Sequence, residues 1–188
     1  SKRLGLRAWR KLRTSLASLR RAIKVSLELA TVENLAQALQ QSDQPILHFL
    51  PTRDYTDGIS MESYEGELKL LPLQMLRELL ERHAPRRPSL VVCCARQSVD
   101  AGYVFLAAGV PAVVCLRGYL PEEAISEFMH EFYRALFTGG TPRGAFNAAQ
   151  QAQQGAFATG PLGGFVLLEE EGVGGGTSPI AVPEPGEL

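Results

Sequence analysis

Short apolar runs and amphipathic stretches alternate along the middle of the chain. Residues 45–50, 88–94 and 111–116 are apolar runs, and each is followed by a stretch with helical periodicity. Runs of this length are typical of strands buried on both faces of a parallel sheet. The pattern therefore predicts a mostly parallel central sheet in which these three strands are adjacent, with helices on both faces.

Capping residues and helical spacing predict the elements around these strands. Helices are expected over residues 31–39, 72–83, 103–108 and 143–156, with a further long helix from Pro121. A last strand is expected over residues 164–169. Tyr64 to Glu67 read as a hairpin turn, whereas residues 51–66 as a whole are polar and predict an irregular loop.

The first thirty residues carry two different periodicities. Apolar residues recur at spacings of three and four, which predicts a helix; they are Trp9, Leu12, Leu16, Leu19 and Ile23. From Ile23 to Leu29 apolar and polar residues alternate instead, and that period of two predicts a strand.

Charge divides the chain into a basic arm and an acidic body. Nine of the 19 basic residues, and none of the 20 acidic ones, lie in residues 1–24. The chain of 188 residues has ordinary globular composition, which suits one domain with a sizeable core. We predict a basic amphipathic arm over residues 1–22, an α/β domain over 23–170 and a disordered Gly/Pro-rich tail over 171–188.

The three cysteines form neither a disulfide framework nor a zinc spacing, because their number is odd and two are adjacent. A reducing cytoplasm is therefore predicted, and neither a cofactor nor a metal is expected. The longest apolar run, residues 103–116, is interrupted by Gly109 and Pro111 and is too short to span a bilayer. Because the chain begins with Ser1, we interpret it as a processed or excised piece.

Eight motifs follow one another in an order that resembles a known family. They are "TVENLAQAL", "ILHF", "EGELKL", "SLVVCCARQS", "FLAAGVPAVV", "EFMHEFYRAL", "AFNAAQQ" and "GPLGGFVLL". This order is similar to that of CHAT domains, which are caspase-like cysteine protease domains often found behind tetratricopeptide repeats. The resemblance covers roughly residues 22–169. It implies a caspase-haemoglobinase sandwich, with a mostly parallel sheet between two helical layers.

The resemblance also implies where catalytic residues would lie. The family histidine is the second in a pattern like H-F-x-G-H-G; starting from His48, that position falls on Thr52, with Arg53 in place of the glycine. The family cysteine ends a pattern like L-x-A-C, and its position falls on Arg96. Only residues 97–102 separate this position from the next helix, so the loop that helps shape the family's pocket is short.

These substitutions remove the chemistry of a cysteine protease. The mechanism needs a thiolate and an imidazole that accepts and returns its proton. Arginine is neither a nucleophile nor a base, and the hydroxyl of threonine has no suitable pKa for general base catalysis. We therefore expect a catalytically dead pseudoprotease that acts as a scaffold or regulator, with Arg53 and Arg96 as binding residues.

An active peptidase with a displaced dyad of Cys94 and His48 is the alternative. If the strand stays extended, Cys94 is set back from Arg96 by about 6.6 Å, and His48 is set back from Thr52 by up to about 13 Å. Both would then lie inside the sheet. In that position a buried cysteine and a core histidine with satisfied hydrogen bonds are the simpler interpretation.

The basic arm leaves three interpretations open. Its stripe packs on its own domain, pairs with another helix, or lies on an anionic membrane with Trp9 buried and Arg10 and Arg13 at the headgroups. The expected partner is a protein, such as a caspase-like protease or a sensor or repeat domain. A membrane surface is a further candidate for residues 2–24. Nucleic acid is disfavoured because aromatic residues are not interleaved with the basic ones.

Overall fold

A computed structural model describes residues 10, 13, 14, 16, 17, 23–40, 45–49, 57–83, 87–153 and 163–170. The described helices are α1 (Val32–Gln40), α2 (Leu73–Arg82), α3 (Val99–Ala107), α4 (Glu122–Phe137) and α5 (Pro142–Gln153). The strands are β1 (Ile46–Phe49), β2 (Gly58–Glu62), β3 (Leu68–Pro72), β4 (Leu90–Cys93), β5 (Ala112–Gly118) and β6 (Gly163–Glu169).

The main sheet has four described strands in the order β1-β4-β5-β6. The first three are parallel, with Phe49 opposite Cys93 and Cys93 opposite Cys115, whereas β6 runs antiparallel to β5. The prediction of three adjacent parallel strands is therefore confirmed. The apolar runs of β4 and β5 are buried and that of β1 is partly buried, because helices cover both faces of the sheet.

Alternate residues of each strand contribute to two separate cores. On one face, Val91 and Cys93 pack with α1, α2, α3 and the β2–β3 hairpin. On the other face, Leu90 and Val92 pack with α4 and α5 around a group of aromatic rings, in which Phe128 stacks on Phe165 at 3.9 Å between ring centroids. The result is the predicted α/β sandwich of three layers.

Two sequence-based boundaries were wrong. Residues 58–62 form strand β2, although the prediction placed them in an irregular loop. The polar residues Ser60 and Glu62 favoured the loop prediction, but both are buried within the strand. Helix α3 begins at Val99, four residues earlier than predicted. Gly102 lies within this helix where a Cβ atom would collide with the Cys115 side chain, so the missing side chain lets α3 pack closely on β5.

The strand predicted over residues 23–29 is also wrong, because residues 23–30 join no ladder. The chain is instead anchored just beyond them. Thr31 caps α1 by accepting a hydrogen bond from the amide of Asn34 at 3.0 Å, and the Ala30 carbonyl accepts one from the amide of Glu62 at 2.7 Å. Local alternation was therefore not sufficient to form a strand within the chain.

Part of the basic arm is described. Residues 10, 13, 14, 16 and 17 are helical, and Leu16 is buried against the core formed by α4 and α5. The predicted disordered tail, residues 171–188, lies outside the described residues. Of the helices that the structure describes, none combines the length and the apolar character needed to cross a membrane.

Candidate functional site

The carboxyl end of β4 leads into a tight turn that is held to β5. The chain turns over residues 95–98 before α3 begins. Gln97 has a φ of 54°, which is uncommon for a residue other than glycine. The buried Ser98 hydroxyl donates to the Cys93 carbonyl at 2.7 Å and accepts from the Leu116 amide at 3.0 Å. The turn is therefore tied to the backbone of two neighbouring strands.

Arg96 lies in this turn and is exposed. Its guanidinium carbon is 4.3 Å from the centre of the Tyr119 ring, within the range of a cation–π contact. Tyr119 follows β5 and is itself 48% exposed. Strand β4 ends at Cys93, so Cys94 and Arg96 are not part of one extended strand. The prediction that Cys94 is set back from Arg96 along such a strand was therefore wrong.

Behind the turn, three polar side chains form a chain of contacts, called here the histidine chain: Cys94, His48 and Tyr133. The Cys94 Sγ lies 3.5 Å from His48 Nε2, and the Tyr133 hydroxyl lies 2.9 Å from His48 Nδ1. The residues come from β1, from the end of β4 and from α4. A neutral imidazole has one donor and one acceptor nitrogen, so both of its nitrogens are satisfied here.

Burial keeps the histidine chain neutral. Desolvation lowers the pKa of His48 to about 4, so the imidazole carries no charge at neutral pH. Burial raises the pKa of the Cys94 thiol well above its ordinary value, and the neighbouring Cys93 and Cys115 add to that effect. The pKa of Tyr133 is also raised, first by burial and then by Cys94. A thiolate–imidazolium pair is therefore disfavoured.

The other two thiols belong to the opposite core. Cys93 and Cys115 are paired in register on adjacent strands, and both are buried and free. Burial raises the pKa of each. Among the residues that the structure describes, no group of three or more histidine, cysteine or acidic side chains could hold a metal ion.

A sequence model of the CHAT domain matches residues 8–157, which is most of the chain. The chain belongs to the CHAT domain family. No curated protein matches it. The sheet order and the two helical layers agree with the caspase-like fold of this family, and the matched range takes in part of the basic arm as well as β1, β4 and β5.

The structure brings together only some of the residues that the sequence singled out. His48 and Cys94 are in contact, whereas Arg96 lies in the turn outside them. Thr52, Arg53 and Trp9 lie outside the described residues. From the arm, Arg10 and Arg13 are exposed. Arg10 also lines a groove of about 640 Å³ with part of α4, including Glu127, His130 and Glu131.

Sequence reasoning missed the partners that define this CHAT site: Tyr133, Tyr119 and Ser98. Tyr133 lies on the apolar stripe of α4, and a buried tyrosine on such a stripe usually finds a hydrogen-bond partner for its hydroxyl. That rule could have signalled an undetected polar contact. Nothing in the local sequence identifies the contact of Tyr119 with Arg96, because it depends on the spacing of two separate loops.

Proposed function

We propose that this CHAT domain is a catalytically inactive pseudoprotease that acts by binding another protein. The observation that carries the proposal is Arg96, a cation held against Tyr119 at the position that the family resemblance assigns to the nucleophile. A guanidinium neither attacks a peptide carbonyl nor exchanges protons at accessible pH. Thr52, at the family's histidine position, supplies no base either.

The same pair suits a binding surface. Arginine and tyrosine are enriched among residues that dominate protein–protein binding energies, and both Arg96 and Tyr119 are exposed at the carboxyl end of the sheet. Loops at this end of an open sheet are common ligand sites in α/β folds. The partner we propose is a protein, either a caspase-like protease or a sensor or repeat domain, in the reducing environment of the cytoplasm.

A displaced dyad is the second candidate, and the 3.5 Å contact between Cys94 and His48 favours it. The protonation states weigh against it. A cysteine protease relies on a thiolate, whereas burial raises the pKa of this thiol and lowers that of this imidazole. We therefore interpret the pair as a structural contact.

A peptidase assay distinguishes the two candidates. The protein is incubated with a library of fluorogenic peptides under reducing conditions, then with an acyloxymethyl-ketone probe, and analysed by mass spectrometry. We expect no sequence-specific cleavage and no probe on Cys94. Cleavage that is lost in Cys94→Ala would establish the displaced dyad and exclude the pseudoprotease. The single changes Arg96→Cys and Thr52→His should both remain inactive, because each restores half of the catalytic pair.

The binding role needs a separate experiment. Cross-linked partners recovered with the wild-type protein are compared with those of Arg96→Ala and Tyr119→Ala. A protein that depends on both residues is expected, while Arg77→Ala, an exposed arginine on α2, should retain it. Recovery of the same proteins by all four forms would argue against binding through Arg96 and Tyr119.

For the basic arm, we propose packing on its own domain in preference to membrane binding. Leu16 is buried against the α4–α5 core, and Arg10 and Arg13 are exposed beside it. Flotation with vesicles of phosphatidylserine and phosphatidylcholine tests this. The protein is expected to stay with the unbound fraction, and flotation that Arg10→Glu with Arg13→Glu abolishes would favour the membrane instead.

A further inference from the structure

A second exposed arginine, Arg117, lies beside the contact of Arg96 with Tyr119. It is near the end of β5, two residues before Tyr119. The preceding residue, Leu116, is tied to Ser98 by two hydrogen bonds. Its carbonyl accepts from the Ser98 amide at 3.0 Å, and its amide donates to the Ser98 hydroxyl at 3.0 Å. The backbone next to Arg117 is therefore fixed to the turn that carries Arg96.

The end of β5 is also held by a close approach of β6. Gly163 is opposite Gly118 in the antiparallel ladder. A Cβ atom on Gly163 would collide with the carbonyl of Arg117 and the amide of Tyr119, so only glycine lets the two backbones come this close. The sheet itself therefore sets the positions from which Arg117 and Tyr119 project.

The two segments that meet here carry positive charge and no acid. Residues 94–99 and 115–121 contain Arg96 and Arg117 but neither aspartate nor glutamate, although the chain beyond residue 24 is acidic overall. The nearest acids along the chain lie in the first turns of α3 and α4: Asp100, Glu122 and Glu123. The positive end of a helix favours acids at such positions. The carboxyl end of β4 and β5 therefore presents a positive surface on an acidic domain.

We propose that Arg117 joins Arg96 and Tyr119 in the binding surface, and that the partner segment they bind is acidic. This inference rests on the proposed function, to which it adds a binding residue and the chemistry of the partner. A guanidinium presents its N–H donors in a planar fork that matches a carboxylate, and clustered arginines are a common means of recognising acidic motifs. A basic partner segment would instead be repelled by both guanidinium groups.

Peptide binding tests the chemistry. The probe is a fluorescein-labelled pool of peptides rich in aspartate and glutamate, and the matched control pool carries asparagine and glutamine at the same positions. Fluorescence anisotropy is expected to show binding of the acidic pool that weakens as salt is added, and binding of the amide pool that is at least about tenfold weaker. An acidic pool that binds no better than the amide pool would overturn the proposal.

Substitution tests the site. Arg96 takes part in a further interaction within the chain, so Arg117 is the more specific residue to change. Arg117→Gln should weaken binding of the acidic pool about tenfold, and Arg117→Glu should weaken it further. Arg77→Gln, at an exposed arginine on α2, is the matched control and should bind as the wild-type protein does. Equal weakening by Arg77→Gln would show a general attraction between charges and would overturn the site.

The cross-linked partners separate this inference from the proposed function. We expect their recovery to fall in Arg117→Gln and at high salt, as it does in Arg96→Ala and Tyr119→Ala. Partners that require Arg96 and Tyr119 but are recovered unchanged by Arg117→Gln and at high salt would leave the binding role standing and exclude the acidic segment. Thermal unfolding of each variant establishes that the fold is retained.

Discussion

Ser98 and His48 are two polar residues near the carboxyl ends of adjacent parallel strands, and they are satisfied in different ways. The Ser98 hydroxyl forms its hydrogen bonds to backbone groups at the end of β4 and within β5. The ring nitrogens of His48 instead contact side chains, those of Cys94 and Tyr133. Backbone partners are present whatever the neighbouring side chains are. The histidine chain, in contrast, depends on two particular neighbours and on its own protonation state.

This difference predicts which substitutions lower the stability of the domain at every pH and which change its response to acid. Loss of the Ser98 hydroxyl should loosen the turn that carries Arg96 at any pH. Changes at His48 or its neighbours should instead show themselves in the response to acid, because the imidazole is the member of the histidine chain that titrates nearest to neutral pH.

The largest effect is expected from acidification. Burial lowers the pKa of His48 to about 4, from 6.5 for an unperturbed histidine. Between these values the unfolded chain binds a proton that the folded chain excludes, so the free energy of unfolding falls as the pH falls through this window. Above pH 6.5 His48 is neutral in both the folded and the unfolded chain, so it causes no loss in the free energy of unfolding. We expect this residue to account for a loss on the order of 3 kcal/mol by pH 4, measured by urea unfolding.

His48→Gln removes the titrating group. The free energy of unfolding of this variant should therefore fall less between pH 6.5 and pH 4 than that of the wild-type protein, by the contribution of His48 given above. His130→Gln is the matched control, since the side chain of His130 is 43% exposed. The comparison is between slopes with pH, so a uniform loss of stability in either variant does not affect it. A wild-type slope equal to that of His48→Gln would show that His48 does not govern the acid response.

A smaller loss is expected from Ser98→Ala. The change leaves the Cys93 carbonyl and the Leu116 amide without their shared hydroxyl, while the backbone amide of Ser98 still donates to Leu116. Unsatisfied buried groups cost about 1–3 kcal/mol, so we expect a Tm lower by roughly 2–12 °C in thermal unfolding. Ser89→Ala, at an exposed serine, should change Tm little. An unchanged Tm in Ser98→Ala would mean that water replaces the hydroxyl.

Tyr133→Phe should lower the free energy of unfolding by about 1 kcal/mol, measured by urea unfolding at neutral pH. His48 Nδ1 loses its hydrogen-bond partner, while the aromatic ring at position 133 remains packed. The acid response should persist, since burial and not the phenol lowers the pKa of His48. Tyr103→Phe, at a tyrosine that is half exposed, is the control. Loss of the acid response in Tyr133→Phe would show that the phenol, and not burial, keeps His48 neutral.

The smallest effect is expected from Cys94→Ala. A thiol is a weak hydrogen-bond donor and acceptor, and Cys94 is only partly buried. We expect a change below about 1 kcal/mol in the free energy of unfolding, smaller than that of Tyr133→Phe. A larger loss than that of Tyr133→Phe would show that the thiol contributes more to the histidine chain than its chemistry predicts.

The sequence by itself determined the central sheet and its helices. The apolar runs that became β1, β4 and β5 are short and lie between loops, which is the pattern of parallel strands covered on both faces. The family followed from the order of motifs, which the match over residues 8–157 confirms. The candidate residues His48, Cys94 and Arg96 were also identified from sequence, by motif position.

Only the tertiary structure decided how those residues are used. The sequence placed His48 and Cys94 46 positions apart and gave no sign that Tyr133, a further 39 positions on, would complete the contact. Alternation alone predicted a strand over residues 23–29, yet a strand forms only where a neighbouring backbone pairs with it, and among the described residues this segment joins no sheet. Distance along the chain carries no information about such contacts, because packing between separate elements creates them.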